Sequence, residues 1–240
     1  MLVARHEPEI AGTSDIVERF PDRPPVVESL TLEELKTLRA RERIPELRPE
    51  NARYDGEFEI PTFQEVIDLA NELSEELGRP LGVYPETKHP ERYAELGLEL
   101  EPRLVEALSD NGLNEQDALV YVQSFSSASL REMAGSLRVP LVKLLRAEEP
   151  DLDEIAEYAH AIGPPKARVT EQLVEDAHAT GLVVHPYTFR RENNFLPEDL
   201  RSSEDPTAVG DYRAEYDRYF AMGIDGVITD NPDLAREALA

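Results

Sequence analysis

The stretch ALVYVQSFSSASLREMAGS, residues 118–136, contains the pattern that decides the fold. An apolar run over 118–125 ends in polar side chains, and a helical pattern over 126–136 follows at once. Strands and helices in strict alternation are typical of parallel βαβ units, so the chain is predicted to be α/β. Further runs of this kind lie at 81–86, 139–145, 158–164, 182–188 and 225–230.

Helical patterns separate the runs, and two earlier segments carry clear helix signals. Thr31 stands three residues before Glu34, and Thr62 stands three residues before Glu65, as in a capping box. Gly78 then provides a stop signal for the second helix. The other predicted helices lie at 99–110, 126–136, 151–157, 170–180 and 211–222, with a short one from Pro232.

Six runs after residue 80 favour a (β/α)8 barrel, the TIM barrel, over a doubly wound sheet. Polar side chains follow nearly every run, and in a TIM barrel the carboxyl ends of the strands meet at the face where active sites are built. The long irregular segment 190–210 is predicted to form a loop over this face. The polar side chains at the run ends are Glu86, Lys88, Gln123, Ser124, Lys143, His185, Tyr187, Thr229 and Asp230.

Composition excludes several classes of partner. The chain has 50 acidic against 25 basic residues, a formal charge of −25, so nucleic acid and anionic lipid surfaces would be repelled. No apolar stretch approaches the roughly 20 residues that span a bilayer. Cysteine is absent, which excludes thiolate chemistry. As written, the chain is predicted to be cytoplasmic, or periplasmic or secreted if a segment precedes it.

Glu86 and Lys88 are the first candidate site. Residues two apart on a strand face the same side, so both groups are expected to point into one pocket. A carboxylate suits a hard cation such as Mg²⁺ or Ca²⁺, and an ammonium suits a phosphoryl oxygen. A simple ion pair at the end of a strand is the open alternative.

Two histidines are further candidates. His6 follows the apolar run Leu2 to Ala4 and is therefore expected at a strand end, where its imidazole could move a proton near neutral pH. His185 lies within the run LVVHPYT and is expected to line a pocket. Both could instead be ordinary structural residues. No Walker loop, GxGxxG turn, HExxH helix or GxSxG elbow is present.

The residues at these positions also resemble a known family. The resemblance rests on segments in the family's order over nearly the whole chain, of which YPETK and VHPYTFR are the most specific. The chain resembles the glycerophosphodiester phosphodiesterases. The segments are LVARHE, GTSDIVERFPDR, GVYPETKHP, VYVQSF, AIGPPK, LVVHPYTFR and GIDGVITDNPDLA.

This resemblance implies a TIM barrel of the phospholipase-C-like phosphodiesterase type and a reaction. A divalent metal, Mg²⁺ or Ca²⁺, would assist hydrolysis of small glycerophosphodiesters to sn-glycerol 3-phosphate and an alcohol. By the same resemblance Glu86 is a metal ligand, Lys88 binds the phosphate and His6 is catalytic. Gln123, Phe125 and Tyr187 would line the substrate pocket together with His185.

The chain departs from the family pattern at its beginning. The family's His-Arg-Gly and Glu-x-Asp segments have no match here, so the first two strands and first helix of the barrel are expected to be missing. Residues 7–61 are predicted to be an irregular insertion in one domain, 1–240. An open barrel edge would favour self-association. The alternatives are a catalytically impaired fragment, a non-catalytic homologue that binds a phosphorylated polyol, and a sphingomyelinase-like or phosphoinositide-lipase-like enzyme.

Overall fold

The computed structural model describes residues 1–146 and 149–239. Their contacts divide the chain into two units. Unit 1 consists of Met1–Val83 and Glu91–Asn111, and unit 2 consists of Tyr84–Pro90 and the residues from Gly112 onward. The segment 84–90, which carries the Glu86 and Lys88 candidates, therefore belongs to the same unit as the predicted strands that follow it.

Unit 1 combines helices with long irregular segments. The longest, α4, begins with the predicted capping box, in which the Thr62 hydroxyl accepts from the Glu65 backbone N–H and the Glu65 carboxylate accepts from the Thr62 N–H. It ends at Gly78, whose φ of 61° is the left-handed conformation that glycine adopts without strain. The helices are α1 (Ile16–Arg19), α2 (Leu32–Thr37), α3 (Pro49–Ala52), α4 (Phe63–Leu77), α5 (Pro90–Glu95) and α6 (Glu101–Asp110).

The start of the chain differs from the sequence prediction. The run Leu2 to Ala4 is not a barrel strand, because only Val3 pairs, in one antiparallel bridge with Thr62. Val3 is partly buried against a small apolar cluster. The run therefore resembles a strand in composition but covers the core of unit 1 instead. The buried members of that cluster are Ile10, Ile16, Leu35, Leu38 and Ile60.

Unit 2 holds a parallel sheet whose strands pair in chain order, β1-β2-β3-β4. Its inner residues are almost all apolar, as in a parallel sheet covered on both faces. The sheet extends on one side through a parallel bridge between Glu86 and Gln123, and on the other through one between Phe189 and Thr229. The strands are β1 (Val122–Ser124), β2 (Leu141–Leu144), β3 (Ala161–Gly163) and β4 (Val183–Val184).

A helix follows each strand of unit 2 and lies within one or two residues of its predicted bounds. Consecutive parallel strands joined by helices are the βα units of a (β/α)8 barrel, so the predicted alternation is confirmed. The sequence prediction missed α1, α3 and α5, because helices of four to six residues are too short to show periodicity. The helices of unit 2 are α7 (Ser127–Ala134), α8 (Leu152–Ala156), α9 (Glu171–Ala179), α10 (Tyr212–Ala221) and α11 (Pro232–Ala238).

The irregular segment 190–210 is more ordered than its composition indicates. It contains two short 3-10 helices and is closed at its base by an antiparallel bridge between Glu192 and Val209. Asn193 is almost fully buried, and its amide donates to the carbonyls of Ser203 and Asp205. The buried Asn193 side chain thus adds to the backbone bonds that close the base of this loop.

Candidate active site at the ends of the parallel strands

Glu86 and Gln123 stand side by side at the end of two neighbouring parallel segments. The Gln123 N–H donates to the Pro85 carbonyl over 2.9 Å, and the Thr87 N–H donates to the Gln123 carbonyl over 3.1 Å. These two bonds fix the register in which Glu86 pairs with Gln123. Directly paired residues of parallel strands project to the same face, so the two side chains share one surface.

The predicted pairing of Glu86 with Lys88 is present. The Lys88 Nζ lies 2.9 Å from the Glu86 Oε2, and the side chains are 19% and 14% exposed. The second oxygen of the carboxylate, Oε1, is buried and has no hydrogen-bond partner, and the same holds for the Gln123 Oε1. Because most buried polar atoms in folded proteins are bonded, two unbonded acceptors on paired residues indicate a site made for a ligand.

Tyr187 and Phe125 form an aromatic pair in unit 2. The rings meet edge to face with centroids 5.9 Å apart, and the Tyr187 hydroxyl donates to the Leu145 carbonyl over 2.7 Å. Burial raises the pKa of Tyr187, the nearby Arg146 guanidinium lowers it and the Glu86 carboxylate raises it further. The predicted role of Tyr187 and Phe125 as pocket residues stays a prediction.

Two basic residues join this cluster. The Lys143 ammonium donates to the Phe125 carbonyl over 2.5 Å. The Arg146 guanidinium carbon lies 4.4 Å from the centre of the Phe125 ring, within cation–π range. Sequence reasoning overlooked Arg146 because it comes just after the apolar run 139–145, although its position after a strand was a usable signal. Both residues line a cavity of about 340 Å³, together with Phe125 and Tyr158.

His185 lies in an aromatic cluster within unit 2. It is 7% exposed, its Nδ1 lies 3.0 Å from the Tyr84 hydroxyl oxygen, and its ring meets that of Tyr121 edge on at 5.0 Å. Burial lowers its pKa, and the Asp225 carboxylate partly opposes this. A Cβ at Gly226 would lie 2.8 Å from its ring, so glycine is required there. A predominantly neutral, packed imidazole follows, and its predicted pocket-lining role stays a prediction.

His6 is placed differently from the expectation. It belongs to unit 1, follows no strand, and has a side chain that is 66% exposed. Its Nδ1 lies 2.8 Å from the Glu7 Oε1. The predicted strand end at this position is therefore wrong, whereas the catalytic role of His6 stays a prediction.

The donor chemistry around Glu86 suits a hard cation. Carboxylate and amide oxygens are ligands that Mg²⁺ and Ca²⁺ prefer, and both cations fill the remainder of their coordination with water or substrate oxygens. Within residues 1–146 and 149–239, no three His, Cys, Asp or Glu side chains come together as a metal site. The residues that fit the cation are Glu86 and Gln123, which are bridge partners and each carry a buried oxygen without a hydrogen-bond partner.

No helix in the described part of the chain is both long and apolar enough to cross a membrane.

Comparisons with known proteins agree on one family. The model of the glycerophosphoryl diester phosphodiesterase family matches residues 1–234. A glycerophosphodiester phosphodiesterase of Arabidopsis thaliana is 30% identical over 283 aligned positions, which cover 96% of this chain and 72% of the relative. One of Haemophilus influenzae is 24% identical, with 99% and 78% covered.

A solved structure shows the same fold. It is a phosphodiesterase of Oleispira antarctica in complex with the product sn-glycerol 3-phosphate, and it is 20% identical with a TM-score of 0.68. The similarity covers 99% of this chain and 78% of the other, which confirms the TIM-barrel fold. The chain belongs to the glycerophosphoryl diester phosphodiesterase family of hydrolases.

Proposed function

We propose that this chain hydrolyses glycerophosphodiesters to sn-glycerol 3-phosphate and an alcohol, with the help of Mg²⁺ or Ca²⁺, in glycerophospholipid and glycerol metabolism. Membership of the family and the names of the relatives support the reaction. The family match from residue 1 to 234 supports one functional domain that includes residues 7–61.

The proposed roles follow from the resemblance to the family and, for Glu86 and Lys88, also from their charges at the end of a parallel segment. Lys88 donates to a phosphoryl oxygen and offsets the negative charge that develops there during hydrolysis. Glu86 holds the cation, which when bound withdraws charge from the phosphoryl group and orients it. His6 moves a proton to or from the attacking or leaving oxygen. Gln123, Phe125, His185 and Tyr187 line the substrate pocket.

The buried, unbonded oxygens of Glu86 and Gln123, which are partners in a parallel bridge, carry the proposal. A carboxylate that only formed an ion pair would gain from turning both oxygens to donors or to water. Here one oxygen of Glu86 contacts Lys88, the other is buried without a donor, and the same is true of the Gln123 Oε1 on the paired segment, so one cation would satisfy both oxygens.

The test is release of sn-glycerol 3-phosphate from glycerophosphocholine and glycerophosphoethanolamine. Release should require Mg²⁺ or Ca²⁺ and stop with EDTA. Glu86→Gln should lower kcat by about 10²-fold or more, because one preorganised charge interaction at the phosphoryl group is lost. The control is Glu175→Gln, the same change on the exposed face of α9, which should leave the rate unchanged.

Two results would contradict the proposal in different ways. Release that continues in EDTA and in the Glu86→Gln variant would contradict the proposed requirement for a metal. No release, together with binding of sn-glycerol 3-phosphate in calorimetry, would favour the non-catalytic polyol-binding homologue. The cytoplasmic location and the self-association stay predictions, and size-exclusion chromatography with light scattering measures the second.

A further inference from the structure

We propose that the side-chain amide oxygen of Gln123 is a second protein ligand of the divalent cation that Glu86 holds. This rests on the proposed function, since it concerns the same cation, and it assigns to Gln123 a role beyond lining the substrate pocket.

The first argument is the register. Glu86 and Gln123 are direct partners in a parallel bridge, and backbone hydrogen bonds on both sides of Gln123 prevent the register from shifting. Neighbouring strands lie roughly 4.8 Å apart. Two side chains that leave adjacent strands on the same face at this spacing can therefore contact one cation together.

The second argument is the chemistry of the two buried atoms. Both the Glu86 Oε1 and the Gln123 Oε1 are acceptors, so neither can satisfy the other. Two buried acceptors on paired residues both gain from a donor or a positive species that they can share. The Lys88 ammonium is at the other carboxylate oxygen, Oε2, so a cation is the species that suits Oε1.

Other buried oxygens without partners do not share this arrangement. Among the described residues they are the Oε2 atoms of Glu28 and Glu215. Both residues lie on helical elements, Glu28 in the 3-10 helix Val27–Ser29 and Glu215 in α10, without a ladder partner that carries a second such atom. A single buried oxygen without a partner is therefore not distinctive among the described residues. Two such oxygens on residues that are bridge partners are distinctive.

The charges at the site imply how the cation binds. Glu86 contributes one negative charge, Lys88 offsets it, and an amide is neutral. The site alone therefore attracts a cation weakly, and an anionic phosphate that supplies further oxygens should strengthen the binding. We expect the cation and sn-glycerol 3-phosphate to bind cooperatively.

The experiment measures Mn²⁺ binding to the full chain by calorimetry, with and without sn-glycerol 3-phosphate. Gln123→Leu should weaken Mn²⁺ affinity about tenfold or more, because an oxygen ligand is lost. Gln123→Glu should strengthen it, because a carboxylate replaces the amide at the same reach. The controls are Gln172→Leu and Gln172→Glu on the exposed surface of α9, which should leave the affinity unchanged.

Gln123→Glu separates this proposal from a positioning role. If the amide instead donated to Glu86 and held it in place, a second carboxylate would repel Glu86 and weaken Mn²⁺ binding as much as leucine does. That outcome, or unchanged affinity in both Gln123 variants, overturns the proposal. If Glu86→Gln also leaves the affinity unchanged, the proposed metal site itself fails.

Thermal unfolding gives a second readout that does not depend on activity. Without metal, Gln123→Leu should be at least as stable as the unaltered chain, because it removes a buried unbonded acceptor. The rise in Tm on adding Mn²⁺ should be smaller in this variant. A lower Tm without metal, together with an unchanged rise on adding Mn²⁺, would show a structural amide instead.

Discussion

Two lysine–carboxylate pairs in unit 2 look alike in their contacts and differ in their surroundings. In each pair one carboxylate oxygen contacts the ammonium, at 2.9 Å for Glu86 with Lys88 and 2.6 Å for Glu215 with Lys166, and the other oxygen is buried without a partner. Glu215 is only 1% exposed, whereas Glu86 is 14% exposed.

The difference lies in what each pair connects. Lys166 lies in the 3-10 helix Lys166–Arg168, and its partner is on α10, 49 residues further along the chain. Its carbonyl also accepts from the Tyr219 hydroxyl. The Glu86–Lys88 contact joins residues of one short segment, two positions apart. The first contact connects distant elements of the fold, whereas the second is local to the segment that carries the proposed site.

The largest effect is expected from Lys166→Met. Removing one partner leaves the Glu215 carboxylate buried and uncompensated, which should lower the free energy of unfolding by about 3–5 kcal/mol. Urea denaturation followed by circular dichroism measures it. Lys88→Met should cost clearly less in the same assay, because its partner is more exposed. Equal losses in the two variants would contradict the distinction between the pairs.

Lys88→Met should instead reduce hydrolysis of glycerophosphocholine. We expect kcat/KM to fall by about 10²–10³-fold, the usual result of removing one group that stabilises developing charge. Initial rates at saturating Mg²⁺ measure it. For a chain that still folds, Lys166→Gln should leave kcat/KM within a few-fold of the unaltered value, and a comparable fall there would count against the assignment of the two pairs.

Tyr187 and Tyr219 provide a matched comparison with a smaller expected effect. The Tyr187 hydroxyl donates to the Leu145 carbonyl and the Tyr219 hydroxyl to the Lys166 carbonyl, at 2.7 and 2.8 Å. Each change to phenylalanine should cost about 1 kcal/mol of stability. Only Tyr187→Phe should also raise KM for glycerophosphocholine, since Tyr187 is a proposed residue of the substrate pocket and Tyr219 is not. A raised KM in Tyr219→Phe would contradict this.

The smallest effect is a dependence of stability on pH. Burial raises the pKa of Glu215 above its ordinary 4.5, although Lys166 partly opposes this. The native state therefore binds more protons than the unfolded one, so the contribution of Glu215 is fully present below pH 4.5 and is lost as pH rises through the raised pKa. The Tm of the unaltered chain should fall relative to Glu215→Gln over this range.

Glu65, an exposed carboxylate of unit 1, should give a pH dependence of stability with the opposite sign. Bonds from Lys36 and Thr62 lower the pKa of Glu65 to about 2. Its stabilising contribution is therefore present above pH 4.5 and is lost as pH falls through about 2. The Tm difference between the unaltered chain and Glu65→Gln should shrink on acidification. Parallel trends for Glu65 and Glu215 would contradict both assignments.

Local signals explain what could be predicted from the sequence. The capping boxes at Thr31 and Thr62 depend on residues three apart, and both are present. The strands of unit 2 were predictable because burial on both faces makes each run apolar. Glu86 and Lys88 could be paired because they are two residues apart. The run Leu2 to Ala4 was wrongly predicted to be a strand, since apolar composition alone does not determine which segment it pairs with.

Long-range pairing explains what could not be predicted. The register that places Gln123 beside Glu86 depends on backbone bonds between segments distant in the chain. The contact of Lys166 with Glu215 depends on how α10 packs, and no periodicity in the sequence encodes it. The division into two units could not be predicted either, because unit 1 is discontinuous in sequence. Residues 84–90 belong to unit 2, although the residues on both sides of them belong to unit 1.

The order β1-β2-β3-β4 has a consequence for how the protein is made. Each strand pairs with the one synthesised just before it, so every new βα unit that leaves the ribosome finds its docking edge already present. Because each strand pairs with the preceding one, the sequence separation between pairing segments is small. An apolar strand is therefore exposed to solvent for less time before it pairs. Unit 2 is thereby suited to vectorial folding during translation.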